Sequence, residues 1–277
     1  MKQIAVFGFG LMGASIAAAL RESTAQIQIV AIDLPAVLAA PAVRSLADQC
    51  LASDERDRVQ AVAATADLCV LAAPVSVIAA QLPSLLEFAQ VITDCGSTKR
   101  SICAAAAASP RASRFVPGHP MAGGPEGGAS RARADLFRGQ TWLLCPEHRD
   151  VDAVARVEEL IQLVGARAFH MSADAHDRAV AYTSHLPQLL ASALSALAAD
   201  AGALPAAGPA FRATTRSAGG SEAMWRDIFE ANADQIAPAL REVAAELAAV
   251  AAGLEATPSD VRRALALLAR ARAERIK

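Results

Sequence analysis

The sequence predicts a two-part protein of the α/β class: a parallel sheet wound by helices in the first half and an all-helical second half. Three observations predict it. Up to residue 145, short apolar runs alternate with helix-compatible stretches, the pattern of a parallel sheet joined by crossover helices. Past Pro146 the strand patterns nearly vanish and amphipathic helical runs take over. With 277 residues, 54% of them hydrophobic, the chain has the length and the apolar material for two modest domains.

Gln3–Phe7 is an apolar run ending at a glycine and reads as a buried strand. Leu11–Arg21 reads as a helix and Ile27–Ile32 as a second strand. The stretch Asp33–Arg58 contains two prolines and weak periodicity and gives no clear element. Leu68–Ala72, Val91–Asp94, Phe115–Gly118 and Thr141–Cys145 read as further strands. Val151–Leu163 is an amphipathic helix closed by Gly165, and Phe169–Met171 reads as a short strand. Helical runs follow at Ala173–Ala201, Ala223–Asn232, Asp234–Gly253 and Ser259–Arg275, with a loop at Gly202–Pro209. The boundary falls near Pro146–Asp150, giving domains 1–147 and 148–277.

Composition excludes several classes. Aromatic residues make up 4% and the net charge is −2, with acids and bases interspersed. No basic stripe or aromatic platform is present to hold nucleic acid or an acidic membrane. The five cysteines are odd in number and form no CxxC pair, so neither a disulfide nor a zinc framework is expected. Apolar stretches are broken by charge or proline before ~20 residues, and the chain enters a strand pattern with no secretory leader. The expectation is a cytoplasmic protein without a membrane span.

Gly8-Phe9-Gly10-Leu11-Met12-Gly13 is a G-x-G-x-x-G that follows a strand and opens a helix. Asp33 lies 20 residues beyond Gly13, at the end of the second strand. Together these form the dinucleotide fingerprint of a Rossmann-like domain. Gly8 permits the tight turn, Gly10 lets the backbone approach a pyrophosphate, and Gly13 lets helix and strand pack closely. The helix N-terminus offers amide donors and a positive dipole. Asp33 can accept hydrogen bonds from ribose hydroxyls and would repel a 2′-phosphate. No arginine follows it at once, so NAD is expected rather than NADP. Leu11, Met12, Ala73 and Pro74 complete the expected cofactor set.

Two segments put small polar groups at strand C-terminal ends, where α/β ligands bind: Asp94–Lys99 and Gly118–Gly124. His119 in the second can titrate near neutrality and accept a proton, although a purely structural loop histidine fits equally. Ser184-His185-Leu186-Pro187 lies inside a helical run, where the proline frees the carbonyl of Thr183. Phe211–Arg216 carries two arginines. Arginine is a natural carboxylate clamp, and a solvated surface arginine is the plain alternative.

The chain resembles the prephenate/arogenate (cyclohexadienyl) dehydrogenase family of tyrosine biosynthesis along nearly its whole length. The resemblance rests on GFGLMGASIA (8–17), DCGSTK (94–99), GHPMAGG (118–124), DLFRG (135–139), SHLPQLLASAL (184–194) and TTRSAGGSEAMWRDIFEAN (214–232). The histidine, SHLP and MWRDIF segments are its specific part. It implies an N-terminal Rossmann-like NAD-binding domain, then an all-helical dimerisation and substrate domain that forms a homodimer, with the active site between the domains. The implied reaction is oxidative decarboxylation of prephenate with hydride transfer to NAD, or the same step on arogenate. His119 would take the C4 hydroxyl proton, and Ser97 would help hold His119 and the hydroxyl. Arg216 would grip a substrate carboxylate, His185 and Gln188 would lie near the same pocket, and Trp225 would wall it. No metal is implied.

The chain departs from the family pattern at Ala213, where many relatives carry aspartate. A second departure is at Gly123-Gly124-Pro125-Glu126, where many carry an earlier glutamate. Fewer acids beside Arg216 favour prephenate, which has two carboxylates and no amine. Gln188 stands where a second histidine often does, and its carbonyl suits an amino group, which favours arogenate or amino-deoxyprephenate. His148, His170 and His176 are assigned bland, structural roles. A β-hydroxyacid dehydrogenase would need a catalytic lysine on a second-domain helix, and Lys2, Lys99 and Lys277 do not provide one. A non-catalytic NAD-binding scaffold or sensor is the alternative from another class.

Overall fold

A computed structural model describes residues 1–124 and 127–274. The departure at Pro125 and Glu126 lies outside the described residues. Strand β1 (Gln3–Phe7) leads through the glycine loop into α1 (Leu11–Glu22) and back into β2 (Gln28–Asp33). The stretch the sequence left unparsed holds two short helices, α2 (Pro35–Leu38) and α3 (Pro41–Leu46), and then β3 (Gln49–Ala52). Both helices start on a proline, whose fixed φ suits a first turn. Next come α4 (Arg56–Thr65), β4 (Leu68–Leu71), α5 (Val75–Leu85), β5 (Ile92–Asp94), α6 (Arg100–Ala107) and β6 (Phe115–Val116).

These strands form a six-stranded sheet of order β3-β2-β1-β4-β5-β6, parallel throughout. That is the doubly wound dinucleotide-binding arrangement, with its switch point between β1 and β4. Helices cover both faces, so alternate strand residues enter two apolar clusters. Ile4, Val6, Ile29 and Val70 pack with α1 on one side. Ala5, Phe7, Val30 and Leu71 pack with Ile78, Leu82 and Ile102 on the other. Burial on both faces is why these strands read as continuous apolar runs.

The strand expected at Phe115–Gly118 is split by Pro117, which has no N–H to give to a ladder. Beyond it, β7 (Gly118–Pro120), β8 (Thr141–Leu144) and β9 (Arg167–His170) form a second, three-stranded sheet of order β7-β8-β9. β7 runs antiparallel to β8, and β9 runs parallel to it. Between β8 and β9 lies α7 (Val151–Leu163), closed by Gly165 at φ +76°. The buried face of α7 (Ala153, Val157, Leu160, Ile161) joins the cluster that holds Phe137 and Trp142.

Past the 147/148 boundary expected from the sequence, α7 and β9 still pack with the first domain, through the cluster that holds Phe137 and Trp142 and the pairing with β8. All four residues of β9 are exposed, so no apolar pattern announced its membership. Only its pairing with β8 does.

The second domain is helical. It comprises α8 (Ala173–Val180), a π-helical turn at Ala181–His185, α9 (Leu186–Asp200), α10 (Pro209–Thr214), α11 (Glu222–Glu255) and α12 (Arg262–Ala273). The π turn falls just before Pro187, where the proline was expected to disturb the helix. α11 leaves helical dihedrals at Asn232 (φ −130°, ψ 20°), where the sequence had separated two helical runs. Leu190, Leu194 and Leu197 on α9 and Leu240, Leu247 and Leu254 on α11 are exposed. Among the described residues no helix is long and apolar enough to cross a membrane.

Candidate active site

Strand register sets the site. Phe7 pairs with Leu71, and Leu71 with Asp94, so β1, β4 and β5 end side by side. The glycine loop after Phe7, the Ala72–Pro74 turn and the Cys95–Lys99 loop thus share one edge of the sheet. Gly8 has φ +91°, and a Cβ there would run into the carbonyl of Ala72 in the adjacent loop. Gly10 faces open space, and no side chain caps the first turn of α1. Its amides are free to meet an anion. Asp33 Oδ2 accepts the Phe9 N–H at 2.6 Å and its Oδ1 accepts the Leu34 N–H at 2.6 Å. The acid is thus fixed beside the loop. Leu11, Met12 and Ala73 are half-buried around it and Pro74 is exposed. An open glycine loop, uncapped amides and an oriented acid fit a dinucleotide.

The second centre is built on β5 and β7. The buried carboxylate of Asp94 accepts the Gly118 N–H on Oδ1 at 2.9 Å and meets the fully buried Lys99 ammonium on Oδ2. Lys99 Nζ also donates to the Gly118 carbonyl at 2.7 Å. Both backbone groups of Gly118 are held, and a Cβ there would lie 2.8 Å from the Asp94 carbonyl oxygen and from Trp142 Nε1. The clamp sets the position of the next residue, His119, which is 9% exposed.

His119 Nδ1 lies 2.9 Å from His176 Nε2, and His176 Nδ1 lies 2.8 Å from Asp177 Oδ1. Asp177 is fully buried and also accepts the backbone N–H groups of Lys99 (2.7 Å) and Arg100 (2.9 Å) and Arg100 Nε (3.2 Å). Burial pushes the Asp177 carboxyl up, but the hydrogen bonds from His176 and from the two amides outweigh it and hold it low. Burial, then the neighbouring His176, Lys99 and His185, holds the His119 imidazole well below its usual range. It is therefore neutral at pH 7.

His176, assigned a bland role, touches His119 directly and takes its Nδ1. Ser97 sits half-buried in the loop after β5, without a hydrogen bond to His119.

His185 is buried on the π turn. Asn232 Nδ2 meets its Nδ1 at 3.2 Å and also donates to the Asp177 carbonyl at 2.8 Å. The Asn232 amide is oriented by Arg100 Nη2, which donates to its Oδ1 at 3.2 Å. His185 Nδ1 is thus an acceptor, and the proton sits on Nε2, which is buried without a partner. Burial lowers its pKa to about 4. Trp225 stands edge-on to His185, with ring centroids 6.1 Å apart, and its Nε1 is also buried and unpartnered. Gln188 is buried one helical turn beyond His185 and donates through Nε2 to Ser192 Oγ at 3.3 Å.

Arg216 is not brought in. It lies exposed on the turn between α10 and α11, without an ion pair among the described residues, and the neighbouring Ala213 is exposed as well. His170 pairs with Glu158 at the surface at 2.8 Å, and His148 is exposed. Asp94, Lys99, Arg100 and Asn232 were not singled out as site residues. The first three adjoin or lie within the DCGSTK segment, and Asn232 closes the TTRSAGGSEAMWRDIFEAN segment.

Fold and site define the class: a two-domain dinucleotide-binding oxidoreductase with a buried histidine centre at the domain seam. Residues 16–170 match the family described as "Prephenate dehydrogenase, nucleotide-binding domain" and residues 172–267 match "Prephenate dehydrogenase, dimerization domain". The chain belongs to the prephenate dehydrogenase family. It is 30% identical to a cyclohexadienyl dehydrogenase of Zymomonas mobilis over 89% of this chain and 86% of that protein. It is 32% identical to a prephenate dehydrogenase of Bacillus subtilis over 84% of this chain, which spans 65% of that longer relative. The fold matches prephenate dehydrogenase from Aquifex aeolicus, solved in complex with hydroxyphenyl propionate and NAD+, with TM-score 0.82 and 24% identity over 99% of this chain and 98% of that one.

Proposed function

We propose that the chain is an NAD-dependent dehydrogenase that oxidatively decarboxylates prephenate to 4-hydroxyphenylpyruvate. The observation that carries this reading is the neutral His119, held on β7 by the Asp94–Lys99 clamp in a domain with an open dinucleotide loop. Family membership and the ligands of the Aquifex aeolicus relative support it. NAD would supply the hydride acceptor when bound; the uncapped amides at the start of α1 and the Asp33 carboxylate would hold it.

His119 accepts the C4 hydroxyl proton as the hydride leaves C4. The resulting C4 carbonyl draws electrons, and the C1 carboxylate departs as CO2, leaving its electron pair to the ring. The ring becomes aromatic, and the C4 oxygen recovers the proton from His119. Orientation and proton transfer are the protein's part. Neutral His185 and Trp225 present two buried N–H donors suited to substrate oxygens. Arg216 serves as the carboxylate clamp only if its turn folds toward the cleft or meets the cleft of a second copy.

Gln188 favours a second reading, arogenate to tyrosine. Its amide nitrogen is engaged by Ser192, which leaves the carbonyl oxygen to accept from a substrate amine.

The chain acts as a homodimer through the helical domain, supported by the description of residues 172–267 and by the exposed leucines of α9 and α11. The free cysteines suit a reducing, cytoplasmic compartment. The test is cofactor reduction with prephenate and with arogenate, each with NAD and NADP, on the wild type and His119→Asn. Fast NAD reduction with prephenate, lost by roughly 10²–10⁴-fold in the variant while NAD still binds, supports the reading. Inactivity with both acids, or an unimpaired variant, overturns it.

A further inference from the structure

The hydrogen-bond chain behind His119 points to one placement of protons. The Lys99 and Arg100 amides and the Arg100 guanidinium can do nothing but donate to Asp177. Against the upward push of burial, these donors and the hydrogen bond from His176 hold the Asp177 carboxyl below its ordinary value, so the carboxylate is ionised. It follows that His176 Nδ1, 2.8 Å from Oδ1, carries a proton. His176 is fully buried, and burial lowers its pKa, so the ring is neutral and Nε2 holds a lone pair. The contact from His176 Nε2 to His119 Nδ1, 2.9 Å long, then requires the proton on His119 Nδ1. In neutral His119 this leaves Nε2 as the bare acceptor, with no partner among the described residues.

A free neutral imidazole side chain prefers the opposite tautomer, with its proton on Nε2. In that form Nε2 could not accept a proton from substrate. We propose that His176 and Asp177 are positioning residues that hold His119 in its Nδ1–H tautomer, so that Nε2 is ready to take the substrate hydroxyl proton. His119 belongs to the first domain, and His176 and Asp177 to α8 of the second. The Lys99 and Arg100 amides at the start of α6 fix the carboxylate from the first domain's side. Docking of α8 on α6 thus sets the protonation pattern of a residue on β7. The role in turnover rests on the function proposed above; the tautomer does not.

The test reads the tautomer directly, by 15N NMR of the imidazoles in the uniformly labelled full chain without substrate or cofactor. The chain has five histidines, and His119→Asn assigns the signals. The wild type is expected to show His119 protonated on Nδ1. His176→Leu should move the proton to Nε2 and lower kcat by roughly 10²–10⁴-fold, with KM and NAD affinity little changed. His176→Gln, whose carbonyl can accept in place of Nε2, should keep the Nδ1–H tautomer and restore much of kcat. Asp177→Asn should be worse than His176→Gln. Its amide would donate to His176 Nδ1 and reverse both rings, the kind of wrong-tautomer loss known for the aspartate of serine-protease triads.

A wild-type His119 protonated on Nε2 overturns the proposal, as does a folded His176→Leu with unchanged tautomer and kcat. Wild-type inactivity on both substrates would sink the proposed function alone, because the tautomer is read without them.

Discussion

Arg100 and Asp234, 134 residues apart, form a two-point ion pair across the domain seam, with Nη1–Oδ2 at 2.8 Å and Nη2–Oδ1 at 2.5 Å. The hydrogen bond to Asp234 is the largest cause raising the Arg100 pKa, and the same bond holds the Asp234 carboxyl down to about 2. The guanidinium also reaches Asp177 and the Asn232 carbonyl oxygen, so one side chain ties α6 to α8 and α11. A fork of fixed geometry suits this task in a way an ammonium does not.

Arg100→Met keeps the apolar stem and removes the fork. It leaves Asp177 short of a donor and frees the Asn232 amide to rotate. The expected loss is about 1–3 kcal/mol in urea unfolding, with Arg100→Lys intermediate. A melt that matches the wild type would show that the seam does not depend on this residue.

Asp33 both faces the expected ribose position and holds the Phe9 amide. Asp33→Asn keeps an acceptor for Phe9 and removes the charge that would repel a 2′-phosphate. NAD affinity should fall by about tenfold, ~1.4 kcal/mol, while NADP binding gains relative to NAD. Titration of both cofactors by fluorescence checks this; an unchanged NAD-to-NADP preference would remove Asp33 as its source.

His119, His176 and His185 are all held below the ordinary imidazole value of 6.5, first of all by burial. Each binds its proton more readily in the unfolded chain. Their contribution to stability is therefore complete above pH 6.5 and is lost as pH falls toward the folded-state values, about 4 for His185. Thermal melts from pH 7.5 down to about 4 should show a steady fall in Tm, and the fall should be shallower in His185→Gln. Equal slopes in the two proteins would mean that His185 does not charge on unfolding in this range.

Leu240, Leu247 and Leu254 repeat every seven residues along α11 and are 39%, 52% and 50% exposed. That spacing puts them on one stripe of the helix, the seam expected of a helical partner. Leu247→Glu should shift the protein from dimer to monomer in light scattering after size-exclusion chromatography. An unaltered mass would place the dimer contact on another face.

Much of the first domain was legible because its signals are local. The strands are continuous apolar runs buried on both faces, and Gly8 to Gly13 with Asp33 encode a turn, a close approach and an acid at a set spacing. The helical second half was legible down to the break near Asn232. Elements without an inward-facing apolar pattern were lost or left unplaced. β9 was read as a short strand at Phe169–Met171, but its exposed residues did not show which sheet it joins; α2 and α3 are too short to show periodicity, and the split at Pro117 divides two sheets within what reads as one run.

The sequence by itself determined the dinucleotide loop and the two-part architecture, which follow from residue types at short separations. His119 and His185 were singled out through the resemblance of the GHPMAGG and SHLP segments. Tertiary structure alone decided what those histidines touch. His119 meets His176 across 57 residues and two domains, and Asp177 meets the amides of Lys99 and Arg100 across 78 and 77. No local rule relates such positions. They meet because α8 buries its inner face on α6, and in that low-dielectric seam a buried carboxylate must collect every donor within reach.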